Sequence, residues 1–249
     1  MRTKTWMLAG LFLSTTPILA IEPPKVVSTS PKFWEVGVTP SSHPAVTVTF
    51  DQMMRSGFWD FLGNNVLPPP TNYETTMGAD RKSFSLMVRL EPGQVYIMAL
   101  NERGISGVGF QNEKGISSKP LFLVFQTAGS VASEDAPPKA LGTIPASGAR
   151  DVNPETTLGF VVNFDRAMTP AKHGMHLWEN KQRVDLNRTA FTFSADGKTF
   201  TLNYPLKPST AYEVELNSTE DIGFQATNRV PLWPVRFSFS TAPGVSPHY

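Results

Sequence analysis

Leu90–Asn101 reads LEPGQVYIMALN, and Leu206–Asn217 reads LKPSTAYEVELN. Both write Leu-x-Pro-x-x-x-Tyr and then an apolar-rich stretch that closes on Leu-Asn. The pair belongs to a longer repeat. PPKVVSTSP from Pro23 and PPKALGTIP from Pro137 stand 114 positions apart. The offset of 114 holds through Phe50, Asp51 and Met54 of FDQMM and Phe164, Asp165 and Met168 of FDRAM. It becomes 116 at ADRKSFSL and ADGKTFTL and in the opening pair, and returns to 114 at Phe125 and Phe239 of FQTA and FSTA. Ordered matches with length changes confined to loop-like stretches mark a duplication with the period of a small domain.

Alternation sets the element type. TLGFVVNF places Leu158, Phe160, Val162 and Phe164 on one face of a strand. AFTFS, TFTLNY, YEVELN and VRFSFST follow, with turns such as SADGK between them. The first copy repeats the series with AVTVTF, NYETTM, SFSLMV, VYIMALN and LFLVFQT. No segment sustains a helical period. About seven antiparallel strands in ~105 residues predict an all-β chain of two tandem Greek-key β-sandwiches. In such sandwiches a tyrosine near the start of a late strand returns its hydroxyl to upstream backbone, and Tyr96 and Tyr212 fit that structural corner. The predicted organisation is a signal peptide at 1–20, domain one at 22–127, a linker at 128–136, domain two at 137–242 and a tail at 243–249. The linker, GSVASED at its centre, is small and polar and is not expected to pack.

Each copy resembles a bacterial Ig-like domain of the kind found in S-layer and other exported proteins. STSP, VTP, FDQMM, LEPGQVY and FQTA carry the resemblance in copy one. GTIP, ASGARDVNP, FDRAM, SADGKTF, LKPSTAY and FSTA carry it in copy two, the closer match. The resemblance implies a structural or binding module and brings no catalytic residues.

Composition agrees with export. Arg2 and Lys4 precede the apolar run Trp6–Leu13, and TTPILA offers Ala20 as the last residue before a cut. The chain has no cysteine, so its domains must hold by apolar packing, and thiolate chemistry is excluded. The net charge of +1 argues against a nucleic-acid partner, and no later segment is long and apolar enough to span a bilayer. The expected location is periplasmic, cell-surface or secreted.

Chemistry is sparse. No nucleophile elbow, metalloprotease helix, phosphate loop or EF-hand sequence occurs, so neither an enzyme nor a cofactor is expected. His173 and His176 are three apart but read as loop residues without a third ligand. Asp51 and Asp165 read as turn residues bonding local backbone, with calcium ligation as the alternative, alone or with Glu134 and Asp135 in the linker. Asn187 and Asn217 open acceptor sequons. Trp178 reads as structural, and Trp233 as a cap on the sandwich end. Phe33 and Trp34 stand where copy two has Ser147 and Gly148, so the fold does not need large aromatics there. With Trp59 they are the candidate partner-binding residues. The expected function is a non-enzymatic binding or structural module at the bacterial cell envelope, with a protein or glycan partner. A pure spacer or assembly subunit is the alternative, and an unfamiliar hydrolase a weaker one.

Overall fold

The structure is a computed structural model and describes residues 22–42, 45–62, 70–101, 109–170, 174–186 and 190–244. The expected leader, His43, His173, His248, the sequon at 187–189 and residues 245–249 lie outside the described residues.

The first half contributes β1 (Val26–Ser30), β2 (Glu35–Val38), β3 (Ala45–Phe50), β4 (Phe61–Leu62), β5 (Pro70–Met77), β6 (Ser83–Val88), β7 (Val95–Leu100) and β8 (Leu121–Thr127). The second contributes β9 (Ala140–Ile144), β10 (Gly159–Phe164), β11 (Met175–Glu179), β12 (Gln182–Arg183), β13 (Ala190–Phe193), β14 (Thr199–Asn203), β15 (Ala211–Leu216) and β16 (Val235–Ser240). Four four-stranded sheets result. Orders β1-β3-β6-β5 and β2-β8-β7-β4 build one sandwich, and β13-β14-β10-β9 and β12-β11-β15-β16 the other. The chain is therefore all-β, two tandem Ig-like sandwiches. Among the described residues, pairing is antiparallel except where β2 runs parallel to β8, and copy two keeps a parallel bridge there, Val152 to Thr241.

Alternation builds each core. β3 buries Val46, Val48 and Phe50, and β6 opposite buries Phe84, Leu86 and Val88. Phe50, Phe84 and Phe110 meet with centroids 5.0–6.0 Å apart. Burying each such ring contributes roughly 1.5–3 kcal/mol. Phe160, Phe164, Phe200 and Phe224 repeat the arrangement in the second core.

The repeated dodecapeptide explains itself in structure. The backbone N–H of Glu91 donates to the Tyr96 hydroxyl at 2.8 Å, and that of Lys207 to Tyr212 at 2.7 Å. The closing threonines join the same corner. Thr127 Oγ1 accepts from Gln94 N and donates to the Glu91 carbonyl, and Thr241 Oγ1 accepts from Thr210 N and donates to the Lys207 carbonyl. The terminal asparagines hold the other end. Asn217 is fully buried at φ 58°, with Oδ1 accepting from Phe224 N and Nδ2 donating to the carbonyls of Phe224 and Leu232. Asn101 does the same with Phe110 and Ser118. A side-chain amide is the neutral group that can both donate and accept in this way, which satisfies a loop's buried backbone. Gly109 lies so close to Asn101 Oδ1 that a Cβ there would stand 2.1 Å from it.

Three expectations are corrected. Asp51 and Asp165 do not bond a local turn: they accept from the N–H of Lys25 and Lys139, 26 residues upstream, and so clamp the first strand of each copy. His176 is not in a loop but on β11, a short strand in which only Leu177 is fully buried, too brief for alternation to reveal. The linker is not loose. Arg166 donates to the carbonyls of Ser133, Glu134 and Ala136, and Asn228 donates to that of Glu134, because these carbonyls face a planar multi-donor side chain.

Candidate functional site

The two copies use the same sheet face differently. On β15 the outward residues are Ala211, Glu213 and Glu215, while Tyr212, Val214 and Leu216 point to the core. The matching residues of β7 are Val95, Ile97 and Ala99, and every residue of that strand is buried. Beside them, β8 carries Phe122 and Val124 where β16 carries Arg236 and Ser238. An outward apolar face must be covered, and domain two covers it. Val95, Ile97 and Val124 form one cluster with Ile222 of the β15–β16 loop, flanked by Trp34, Phe122, Val230 and Trp233. Phe122 N donates to the Thr219 carbonyl across the seam at 2.7 Å.

Trp34 stands at the centre of this seam. Its backbone N–H donates to the Val124 carbonyl, as that of Gly148 donates to Ser238. Gly148 has φ 80° with open space around its Cα, and Trp34 adopts φ 61° in the same turn. A bulky side chain in the left-handed region is disfavoured. Its indole N–H is also buried without an acceptor among the described residues. Both costs are met because the ring packs edge to face on Trp233, with centroids 5.5 Å apart. Trp233 is thus not a cap on its own sandwich: its Nε1 donates to the Trp34 carbonyl at 3.1 Å.

A groove of about 500 Å³ opens beside Trp34, floored by the outward face of β11, β15 and β16. Cross-strand register sets two rows. His176, Glu215 and Arg236 form one, and Arg183, Trp178 and Glu213 the other. Glu215 is buried, its side chain 9% exposed. Arg236 donates from Nε and Nη2 to Glu215 Oε1 at 2.8 and 2.7 Å, and His176 Nδ1 lies 3.2 Å from Oε2. The hydrogen bond to Glu215 raises the pKa of Arg236 above its ordinary value. His176 meets Trp178 edge to face at 5.8 Å. A second pocket of about 430 Å³ lies across the seam, lined by Lys25, Phe33, Lys119, Leu121, Thr219 and Glu220.

The three candidate partner-binding aromatics are not one surface. Trp34 lines the groove. Phe33 is half-buried against the first core and lines the second pocket. Trp59 lines neither; it is 37% exposed and tilted over Phe84 at 6.3 Å. Tyr96 and Tyr212 are corner residues, and burial raises the pKa of both. Sequence reasoning missed the groove residues Arg183, Glu215 and Arg236, read His176 as a loop residue and Trp178 as structural although both line the groove, and missed the seam. The seam did have a signal: VYIMAL is apolar on both faces where AYEVEL alternates. Among the described residues, no group of three histidine or acidic side chains is placed to hold a metal, and no helix is long and apolar enough to cross a membrane.

Residues 134–241 match the family described as bacterial Ig-like domain. No curated protein matches the chain. Among solved structures, the chain is similar to the I-band fragment I67-I69 from titin, at 11% identity and TM-score 0.29, covering 90% of this chain and 66% of that one, just under two thirds. It is similar to a chimeric titin Z1Z2-Z1Z2 tandem at 10% identity and TM-score 0.30, covering 90% and 100%. Drosophila OTK extracellular domains 3-5 give 12% identity and TM-score 0.24, covering 90% and 63%.

Proposed function

We propose that this protein is an exported, non-enzymatic module of the bacterial cell envelope, whose two Ig-like domains dock as one unit and present a groove to an envelope partner. The Ig-like match of the second copy fits a binding or structural module. The charged-apolar-small pattern of residues 1–20 supports export. One observation carries the binding reading: the groove draws Trp34 from the first domain and its floor from the second, at a turn where the fold itself uses glycine.

The test is co-sedimentation of the mature chain with a crude envelope fraction of the source cells. The wild-type chain is expected in the pellet, and Trp34→Gly in the supernatant. A wild-type chain that stays in the supernatant is a spacer. A Trp34→Gly chain that pellets equally well places the binding surface elsewhere.

A further inference from the structure

We infer that the groove beside Trp34 is a saccharide site, taking a glycan chain along the outward face of β11, β15 and β16. This rests on the binding reading above and names the chemistry of its ligand.

The argument begins with the internal comparison. The face built by β7 and β8 in copy one is Val95, Ile97, Phe122 and Val124, and its occupant is a protein surface, domain two. That is what a protein-docking version of this face looks like, with aliphatic and aromatic residues at its centre and charges depleted. The copy-two version replaces Ile97, Phe122 and Val124 with Glu213, Arg236 and Ser238, and Val95 with the small Ala211; Glu215 and Ser240 are the remaining outward positions of β15 and β16. Its apolar surface comes from two indoles, Trp178 on the floor and Trp34 at the rim, with Pro234 beside them.

Charge narrows the ligand further. Arg183 and Arg236 face Glu213, Glu215 and Glu220, two cations against three carboxylates, so the mixed charges give the face little net field for a strongly acidic or basic partner. The polar groups are also fixed in advance. Glu215 holds Arg236 by two donors and His176 by a third contact. Arg236 Nη1 and His176 Nε2 remain outside these contacts, and Arg183 stands exposed next to Trp178 in the cross-strand register. Groups held this way lose little freedom on binding.

A saccharide matches this arrangement. Each ring has an apolar C–H face, which suits an indole, and a rim of hydroxyls, which suits planar N–H donors and carboxylate acceptors. A peptide added as a further strand does not fit on the β16 side, and at the other edge β12 offers only the two residues Gln182–Arg183 for pairing. The outer edge of β16 is already bonded by the 148–152 segment, through Gly148 N to Ser238 O, Ser240 N to Ala149 O and Val152 N to Ser240 O.

The experiment treats the same envelope fraction three ways before co-sedimentation: untreated, digested with protease, and oxidised with periodate, which cleaves the vicinal diols of sugars. Binding is expected to survive protease and to fall at least ~10-fold after periodate. Trp178→Ala and Arg183→Ala, at an exposed position, are each expected to weaken binding to protease-treated material, Trp178→Ala by about tenfold or more, the scale of an anchoring aromatic. Arg183→Ala keeps the test open if Trp178→Ala misfolds. Binding lost to protease and indifferent to periodate overturns the saccharide site and leaves the binding reading standing, with a protein partner. Binding that survives both treatments, or that neither variant weakens, also overturns it. Absence of binding to untreated envelope overturns both.

Discussion

Trp233 donates its indole N–H to the main-chain carbonyl of Trp34 while the two rings meet edge to face, 199 residues apart in sequence. One pair thus joins a turn of the first sandwich to a loop of the second by a hydrogen bond and a ring contact together. The cluster of Val95, Ile97, Val124 and Ile222 beneath it is buried.

Removing that pair should uncouple the domains without unfolding either. Trp233→Ala is expected to reduce coupling by about 2 kcal/mol, less than the ~3–5 kcal/mol of a fully buried aromatic, since Trp233 is only half-buried. In solution scattering the radius of gyration should rise, and calorimetry should resolve two transitions in place of one. An unchanged scattering curve would show that the seam does not depend on this contact.

The halves should behave unequally when separated. Residues 137–249 alone keep a polar outward face and should melt cooperatively as a monomer. Residues 22–127 alone expose Val95, Ile97, Phe122 and Val124 and should self-associate. Analytical ultracentrifugation of both decides it. A molten 137–249 without near-UV dichroism would mean that the second core is incomplete without the first.

The asparagine hubs should be the most sensitive polar positions. Asn217→Ala leaves the buried Phe224 N–H and the Leu232 carbonyl without their partner, while the Phe224 carbonyl keeps the Leu232 N–H; the expected loss is roughly 3 kcal/mol or more. Tyr96→Phe and Tyr212→Phe remove one acceptor each and should cost about 1–2 kcal/mol. Urea denaturation measures all three. Equal effects of Asn217→Ala and Tyr212→Phe would contradict the hub.

Acid should weaken the second sandwich through Glu179. Burial pushes its carboxyl up, but hydrogen bonds from Lys207 and Tyr204, with the charge of Lys207, outweigh burial and hold it below the ordinary carboxylate range. A group with a depressed folded pKa contributes stability that is present above its unfolded pKa and is lost as pH falls through the folded value. Denaturation midpoints of the wild type should therefore drop on acidification below the ordinary carboxylate range, and Glu179→Gln should flatten that part of the profile. A Glu179→Gln chain with an unaltered acid profile would assign the loss to other carboxylates such as Asp165 and Asp196, which are also held low.

The fold was legible because duplication supplies its own alignment. Leu-x-Pro-x-x-x-Tyr, Phe-Asp-x-x-Met and Phe-x-Thr each mark a corner, a clamp or a strand end, and each occurs twice in order. The same comparison singled out Trp34 against Gly148. It did not reveal what Trp34 touches, because Trp233 lies in the other copy and no local pattern relates them. The groove was invisible for a related reason. His176, Glu215 and Arg236 come from three strands, and register alone brings them into one row. β11 was missed because it buries one residue of five.

The closed environment of Asn217 has a practical side. Asn217-Ser218-Thr219 is an acceptor sequon whose amide nitrogen already bonds two carbonyls in the interior. A sugar attached there before folding would block the hub, and none could be attached afterwards. Secretion from a eukaryotic host that modifies nascent chains should therefore yield a mixture of folded unmodified and misfolded glycosylated product. Thr219→Ala abolishes the sequon while keeping the asparagine, and Thr219 meets the first domain through its main-chain carbonyl, which any residue supplies. A homogeneous preparation from such cells calls for that change together with removal of the second sequon at Asn187.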